Sequence, residues 1–338
     1  MLKIVRFLLV SLVTFSLNAQ VGGEGIYRFL NLVSSPRQAA LGGKIITLYD
    51  YDVNQPLTNP SVINDEMNGK LALNYGSYLA GINYGSASYA YTHDRHLQTF
   101  HGGISYANYG QFDGRDEQGT STGNFTVNEL ALSLGYAYNI PWTELYLGAN
   151  ARIISSTLEK YQSFGVSTDL AVTYLDRNND VNYSVVLRNF GTQLTKYNEL
   201  SEKLPFEVIA GVSQKLEHIP LRWHLTLENL QKWNVSFSNP ARSEKNIDGG
   251  EKEENVSFVG NISRHMIVGA EFFPDRAINI RLGYNFRRAA ELSLLEQRTF
   301  AGFSVGFGIR FEKFRFDYSY ARYNLASNAS MFGLMINL

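Results

Sequence analysis

The stretch FRFDYSYARYNLASNASMFGLMINL, residues 314 to 338, decides the fold, because its large apolar side chains occur at every second position. This spacing is the period of a β-strand, in which successive side chains point to opposite faces. The apolar positions are Phe314, Phe316, Tyr318 and Tyr320 in the first half, and Phe332, Leu334, Ile336 and Leu338 in the second. The residues between them are mostly small or polar, so each half has one face that needs an apolar environment.

The same alternation recurs from about residue 70 onward. It is clear in LRWHLTLEN at 221–229 and in INIRLGYNF at 278–286. About fourteen such segments of about ten residues can be counted, and ten residues tilted by roughly 45° span the hydrocarbon layer of a membrane. A soluble β-sandwich has the same alternation, so periodicity alone leaves both architectures open.

The connections between these segments distinguish the two architectures. They are alternately short and long: 92–96 is short and 109–125 is long, while 217–220 is short and 230–265 is the longest. Only the first hairpin, near 79–81, departs from this rule. Short turns on one side and long loops on the other are typical of outer-membrane barrels. We therefore predict an all-β fold, a transmembrane antiparallel β-barrel of about fourteen strands over residues 70–338, with a long extracellular loop at 230–265 and the last strand paired with the first.

Composition excludes several classes of protein. The chain of 338 residues is 44% hydrophobic, 13% aromatic and 18% charged, and it contains no cysteine. Disulfides, thiolate metal sites and cysteine nucleophiles are therefore excluded. A formal net charge of −1 gives no electrostatic argument for nucleic-acid binding. No cofactor is expected.

The amino-terminal residues predict two further segments. Residues 1–19 have Lys3 and Arg6 before an apolar run and Ala19 at the end, the pattern of a cleaved secretory signal peptide. Residues 20–69 are rich in Gly, Asn and Pro and lack the alternation of the barrel, which predicts a plug inside the lumen. Ser35 and Pro36 are expected to start a short helix that Gly42 and Gly43 end.

Charged residues at the inward positions of the strands predict a network inside the lumen. Opposite charges in one confined space favour a closed, hydrogen-bonded interior, although a water-filled lumen with solvated charges is the alternative. The candidates are Arg152, Asp169, Arg188, Arg222, Glu228, Glu271, Arg281, Arg310, Arg315 and Asp317.

The longest loop begins with QKWNVSFSNP, which keeps the strand alternation beyond the length that a membrane can use. Trp233, Val235 and Phe237 would then lie on one side of an extended strand above the membrane. Exposed aromatic residues are typical anchors of protein interfaces. These three residues are candidates for partner docking, and packing on a neighbouring strand is the alternative.

Candidate catalytic and metal sites are weak. Asp50, Asp52 and Asn54 imitate the start of a calcium loop, but Gln55 and Ser61 stand where that loop needs Gly and Glu. His93, His96 and His101 lack the spacing of a zinc helix. The chain is not expected to be an enzyme, and a barrel lipase is the least favoured of three functions considered.

Several stretches resemble the PorQ family of outer-membrane proteins of type IX secretion, which is related to the fatty-acid-channel-like barrels. They include RFLNLVSSPRQAALGG at 28–43, LRNFGTQL at 187–194 and LPFEVIAGVSQKL at 204–216. The resemblance implies a barrel in the outer membrane that belongs to the type IX attachment complex. Its implied partners are a sortase-like cysteine transpeptidase, a related cargo-shuttle barrel, a surface accessory protein, and outer-membrane lipid and lipopolysaccharide. The alternative function is an outer-membrane transporter for hydrophobic small molecules.

Overall fold

The computed structural model describes residues 25–78, 81–94, 98–197, 201–235, 244–245, 251–252, 257–292, 300–322 and 328–338. The predicted signal peptide lies outside these residues. Fourteen strands form one closed antiparallel barrel, as the alternation predicts. The strands are β1 (Lys70–Ser77), β2 (Asn83–Asp94), β3 (Gln98–Arg115), β4 (Ser121–Asn139), β5 (Leu145–Leu158), β6 (Tyr161–Asp176), β7 (Val181–Thr195), β8 (Glu207–Lys215), β9 (Leu221–Leu227), β10 (Met266–Phe272), β11 (Ile278–Asn285), β12 (Phe303–Phe311), β13 (Phe314–Arg322) and β14 (Asn328–Asn337).

Each strand pairs with its neighbours in the chain, and β14 pairs with β1 to close the ring. The closing register runs from Lys70 opposite Asn337 to Ser77 opposite Ser330. Closure leaves no open edge over the height that all the strands share, so the backbone groups there find partners inside the sheet. The predicted pairing of the last strand with the first is confirmed.

The two rims of the barrel differ. At one rim, which we call the turn rim, strands are joined by short turns such as 177–180 and 312–313, and Lys70 and Leu338 lie there as well. The opposite rim, which we call the loop rim, carries the longer connections and two short turns, one between β1 and β2 and one at 159–160 between β5 and β6. The connection predicted as long at 109–125 is only 116–120, because β3 and β4 extend into it.

The wall is not of uniform height. Strands β3 to β7 are 14 to 19 residues long, whereas β9 and β10 have 7. A tilted strand of 19 residues rises by about 45 Å, well beyond the apolar band of about 25 Å. The sequence-based estimate of ten residues per strand was therefore too short for this side, because the sheet pairing continues above the apolar band.

Side chains alternate across the wall as expected. Leu134, Ile153 and Leu334 point outward and are 74%, 63% and 39% exposed, whereas the intervening Ser133, Arg152 and Met335 are buried. An outward apolar face has lipid as its solvent. No helix among the described residues is long and apolar enough to cross a membrane.

The plug, residues 25–69, runs through the lumen from the loop rim to the turn rim. Near its start, Ile26 N donates to Lys203 O in the connection after β7, and near its end Gly69 N donates to Ala90 O in β2. Helix α1 (Pro36–Ala40) begins where the sequence predicts: Ser35 Oγ accepts from Gln38 N at 3.3 Å, and Pro36 occupies the first turn. Gly42 and Gly43 follow with φ of 99° and 132°, which ends the helix.

The connection between β9 and β10 differs from the prediction of an extended strand. Strand β9 ends at Leu227, Asn229 has a positive φ of 58°, and residues 228–235 form no strand. Helix α2 (Phe258–Arg264) leads from this connection into β10. Two short segments, Glu244–Lys245 and Glu251–Lys252, pair with each other outside the barrel, and α3 (Phe286–Glu291) follows β11.

Candidate functional site: the plugged lumen

Wall glycines bring the plug into direct contact with the barrel. A Cβ added at Gly148 would lie 2.2 Å from Ser61 N, and one added at Gly283 would lie 2.1 Å from Gly42 N. Both distances are far below any normal contact, so only glycine allows the plug backbone to approach this closely. A Cβ would also meet plug atoms within 3.0 Å at Gly103, Gly135, Gly165, Gly211, Gly269, Gly306 and Gly333. The plug therefore touches the wall on all sides.

A central ion cluster joins the plug to strands β9, β10, β11 and β13. Arg37 of α1 donates to Asp50 at 2.9 and 2.8 Å and to Glu271 at 3.0 and 2.8 Å. Arg222 reaches Asp50 at 2.9 Å and Glu271 at 3.4 Å. The plug and the wall thus share the same carboxylates.

The cluster continues along the wall. Arg281 donates to Glu271 at 2.9 Å and to Asp317 at 2.6 Å, and Arg315 donates to Asp317 at 3.0 Å. Four arginines face four carboxylates in this central cluster: Arg37, Arg222, Arg281 and Arg315, and Asp50, Asp52, Glu271 and Asp317. The charges balance, which is the condition under which buried ions are tolerated.

Burial alone would raise the pKa of Asp50, but Arg37 and Arg222 hold that pKa well below its usual range. The Tyr51 ring packs between two of the arginines, with Arg37 Cζ 5.5 Å and Arg315 Cζ 5.1 Å from its centroid.

Asp50 and Asp52, which imitate a calcium loop in the sequence, are partners of Arg37 in the structure. No group of three or more His, Asp or Glu side chains that could hold a metal occurs in the described part of the chain.

Two further ion groups fix other parts of the plug. Arg152 donates to Asp169 at 2.8 Å and to the plug carbonyl of Leu57 at 2.7 Å. Lys44 of the plug lies 2.6 Å from Glu207 and 3.2 Å from Glu228.

Arg188 completes this arrangement by donating to Leu30 O at 2.9 Å, with Glu207 at 3.7 Å. These groups also balance, with Arg152, Arg188 and Lys44 facing Asp169, Glu207 and Glu228. The lumen is lined with charge, yet its ion groups have no net excess that would select a passing ion.

The loop-rim end of the plug is held by apolar packing. Tyr27, Phe29 and Leu30 are buried against Tyr84 and Met331 of the wall. Tyr27 also shares a hydrogen bond of 2.6 Å with Ser163. The mouth of the barrel is therefore closed by side chains of the plug itself.

The cavities show where space remains. A cavity between plug residues 29–34 and strands β2 and β3, near Arg152 and Arg188, has a volume of about 30 Å³, room for about two water molecules. A larger cavity of about 1070 Å³ lies against outward-facing residues such as Tyr89, Leu134 and Ile153, on the lipid side of the wall. The cavity between the plug and strands β2 and β3 is thus too small for an organic molecule.

The structure unites nine of the ten predicted lumen charges in these groups. Arg310 is the exception, and its assignment to the network was wrong. Its position near the turn rim lets its side chain extend out of the lumen, where it is exposed and donates to Asp275 O at 3.2 Å.

Several members of these ion groups were missed from the sequence: Arg37, Lys44, Asp50 and Asp52 of the plug, and Glu207 on β8. The plug has no strand alternation, so facing could not be assigned there. Glu207 follows the inward parity of its strand and could have been found.

Of the predicted docking residues, Trp233 and Val235 do not share one exposed face. Trp233 is 57% exposed and Val235 only 5%, while Phe237 lies outside the described residues. The centroid of the Trp233 ring lies 5.4 Å from the ring centroid of Phe258 and 6.1 Å from that of His265. Trp233 and Val235 differ in this way because the chain turns after β9 and Trp233 packs on α2. The docking role itself stays a prediction.

Among the described residues, His93 and His101 belong to no group of side chains that could hold a metal. His93 is exposed, His96 lies outside the described residues, and the buried His101 pairs with Val53 O of the plug at 3.0 Å. His101 therefore contributes to plug contact.

This geometry defines the class of protein: a closed fourteen-stranded β-barrel with an amino-terminal plug in its lumen. The toluene transporter TbuX of Ralstonia pickettii has a similar fold, with 14% identity, 90% of this chain and 97% of that chain covered, and a TM-score of 0.53. A mutant of the monoaromatic hydrocarbon channel TodX is also similar, with 12% identity, 92% and 98% covered, and a TM-score of 0.52. No protein-family model and no curated protein matches the sequence. The chain thus shares the fold of these two hydrocarbon-transport barrels.

Proposed function

We propose that the chain is an outer-membrane transporter for hydrophobic small molecules whose lumen is closed by its own plug. The observation that carries this proposal is the plugged fourteen-stranded barrel itself, which extends over about nine-tenths of the chain in both comparisons. Aromatic hydrocarbons, which those two barrels carry, are the substrate class to test first.

In this proposal the signal peptide directs export, the turn rim faces the periplasm, and the loop rim faces the outside. Both ends of the barrel, Lys70 and Leu338, then lie on the periplasmic side, as an even number of strands requires.

Passage of a substrate requires the plug to change position. The cavity beside Arg152 and Arg188 is too small for an aromatic ring, and the wall glycines bring plug and wall into contact. The structure corresponds to a closed state, and transport needs a second state in which part of the plug withdraws from the wall.

A reversible lock tests this requirement. Ser61 Oγ of the plug lies 2.7 Å from Thr173 Oγ1 of β6, and the chain contains no cysteine of its own. The double substitution Ser61→Cys with Thr173→Cys places two thiols within reach of a disulfide. Oxidation should abolish uptake of a labelled aromatic hydrocarbon by cells, and reduction should restore it.

The single variants Ser61→Cys and Thr173→Cys are the controls and should transport under both conditions. Full uptake through the oxidised double variant, with the disulfide verified, would contradict a role for plug movement. Absence of uptake by the unmodified protein, correctly inserted, would contradict the transport function.

A second candidate function is supported by the closed lumen and by the sequence resemblance: a fixed membrane component of the type IX attachment complex. A balanced, interlocked plug suits a barrel that anchors partners and passes no substrate. The partners would be the sortase-like cysteine transpeptidase, the cargo-shuttle barrel and the surface accessory protein, at a surface rich in lipopolysaccharide. The transfer chemistry would belong to the transpeptidase, because this chain has no cysteine. The comparisons favour the transporter over this function.

Co-purification from detergent-solubilised outer membranes separates the two functions. A cysteine transpeptidase and a second barrel should accompany the chain if it is an attachment component, and the oxidised lock should leave that association intact. Trp233→Ala with Phe237→Ala would then weaken recovery of the surface partner at normal barrel levels. Recovery of the chain alone, under conditions that preserve other complexes, would leave the transporter.

A further inference from the structure

Helix α2 at the loop rim has its apolar side turned outward and its polar side turned toward the protein. Phe258, Val259 and Ile262 lie on one side of the helix and are exposed, the first two at 68% and 73%. Asn261 and Arg264 lie on the other side and are buried. A helix on a surface that faces water has the reverse arrangement. The outward side of α2 thus has the composition of a surface that faces lipid.

Hydrogen bonds on the polar side fix this orientation. Asn261 Nδ2 donates to Trp233 O at 2.6 Å. The two ring nitrogens of His265, at the end of the helix, lie 2.7 Å from Glu228 O and 3.1 Å from Trp233 O. The helix could not turn its apolar side toward the protein without breaking these contacts, so the exposure of that side is a property of the fold.

The wall beside α2 is shorter than the apolar band of a membrane. Strands β9 and β10 have 7 residues each, which at a tilt of about 45° rise by about 16 Å, against a band of about 25 Å. On the taller side of the barrel, the outward apolar run of β4 is longer and extends from Leu130 to Tyr138. Helix α2 leads directly into β10 and lies just above the short strands, at the height where the band still continues.

Aromatic side chains mark the same level on the neighbouring strands. Tyr284, near the end of β11, has its ring centroid 4.8 Å from that of Phe286 and 4.7 Å from that of Phe303. Helix α2 packs beside α3, which begins with Phe286, and the exposed Trp233 ring packs on Phe258. Girdles of aromatic residues are typical of the border between hydrocarbon and headgroups. Helix α2 therefore continues a girdle that begins on the strands.

We propose that α2 lies in the membrane interface, with Phe258, Val259 and Ile262 among the acyl chains of the outer leaflet. The occupant is lipid, because the apolar side of α2 continues the lipid-facing wall and completes the apolar band where the strands are short. Trp233 then borders lipid, which is a different role from partner docking. The inference goes beyond the proposed transport function and does not depend on it, because this lipid contact leaves the plug and the lumen untouched.

A spin label at Val259 tests this inference in proteoliposomes of the full-length barrel. The chain has no cysteine, so Val259→Cys provides a single site. Its label should be relaxed more by oxygen, which concentrates in hydrocarbon, than by a water-soluble nickel chelate. Ile153→Cys, outward on β5, is the lipid-facing control, and Asn124→Cys, exposed near the loop-rim end of β4, is the control in water. The Val259 label should resemble the Ile153 label.

A native side chain provides a second reading that needs no label. The chain has three tryptophans, so Trp142→Phe with Trp223→Phe leaves Trp233 as the one fluorophore of this kind. Lipid that carries bromine near the headgroup end of its acyl chains should quench Trp233 fluorescence. Adding Val259→Asp with Ile262→Asp should reduce this quenching, because carboxylates draw the helix out of the lipid.

The same charge placed elsewhere is the matched control for that variant. Thr126→Asp, at an exposed position of β4 above its apolar run, should leave the quenching of Trp233 unchanged.

Three outcomes would overturn the proposal, each in a barrel with normal heat-modifiable migration. The first is a Val259 label that the nickel chelate reaches as readily as the label at Asn124, which would place α2 in water. The second is a Val259 label shielded from both reagents, which would assign the apolar side to a protein contact or a second copy of the chain. The third is Trp233 fluorescence that brominated lipid leaves unchanged.

Discussion

The replacement Arg37→Met should release the plug without unfolding the barrel. Arg37 is 2% exposed and contacts Asp50, Asp52 and Glu271, so its removal leaves three cations facing four carboxylates in the central cluster. Leaving a buried charge without its partner costs about 3–5 kcal/mol. The plug-in state should therefore lose a factor of about 10² to 10³·⁵ relative to the plug-out state.

Thiol labelling can measure this shift directly. Ser61 is fully buried against the wall, and the chain has no other thiol, so Ser61→Cys provides a single reporter. A membrane-impermeant maleimide, applied to the purified barrel, should label Ser61→Cys slowly in the unmodified background and much faster with Arg37→Met. The heat-modifiable migration of the barrel should be the same in both.

Two variants sharpen this test. Arg310→Met removes an exposed arginine outside the cluster and should leave labelling unchanged. Adding Asp50→Asn to Arg37→Met restores the balance at three charges of each sign and should recover part of the protection. Labelling that Arg37→Met does not accelerate, or that Arg310→Met accelerates equally, would refute the argument from buried charge.

Three further predictions follow from the wall and the plug. Gly148→Val and Gly283→Val should displace the plug and speed the labelling of Ser61→Cys. Gly102→Val should not, because an added Cβ at Gly102 meets nothing within 4 Å, and equal effects would contradict the close contact between plug and wall. Leu334→Asp should reduce the amount of inserted, heat-modifiable barrel, at a cost of about 2–4 kcal/mol near the membrane centre, and Asn337→Asp should cost less; equal losses would contradict the assigned faces. The pKa of Asp50 is lowered in the folded protein, so its carboxylate stabilises the plug at every pH above the unfolded pKa of about 3.9 and loses this effect only below that value. Labelling of Ser61→Cys by a thiol reagent that also reacts in acid should therefore stay slow from pH 7 to about 4. Fast labelling at pH 5 would contradict this prediction.

The barrel could be predicted from sequence because the alternation of apolar and polar side chains shows, strand by strand, which face points outward. The alternation in residues 314–338 gave the faces of β13 and β14, and the parity of connection lengths gave the two rims. Strand height could not be obtained in this way. The upper parts of β3 and β4, such as residues 109–115 and 121–127, continue the pairing in a polar setting where no apolar band constrains the pattern.

The candidate site was only half predictable for a related reason. Inward charges such as Glu271 and Arg281 follow the strand period, so their direction could be assigned. Arg37 and Asp50 belong to a segment without a repeating pattern, and their pairing depends on how the plug folds inside the lumen. The wall glycines were visible as inward small residues, but only the structure shows which plug atoms they contact.

Conductance in a planar lipid bilayer tests most directly whether the plug closes this barrel. The intact protein should show almost no ion current, because the plug touches the wall and its ion groups are paired. Deletion of residues 22–59, in a variant that retains heat-modifiable migration, should open a stable channel. Large, stable channels from the intact protein, or no increase after the deletion, would contradict the closed, plugged lumen.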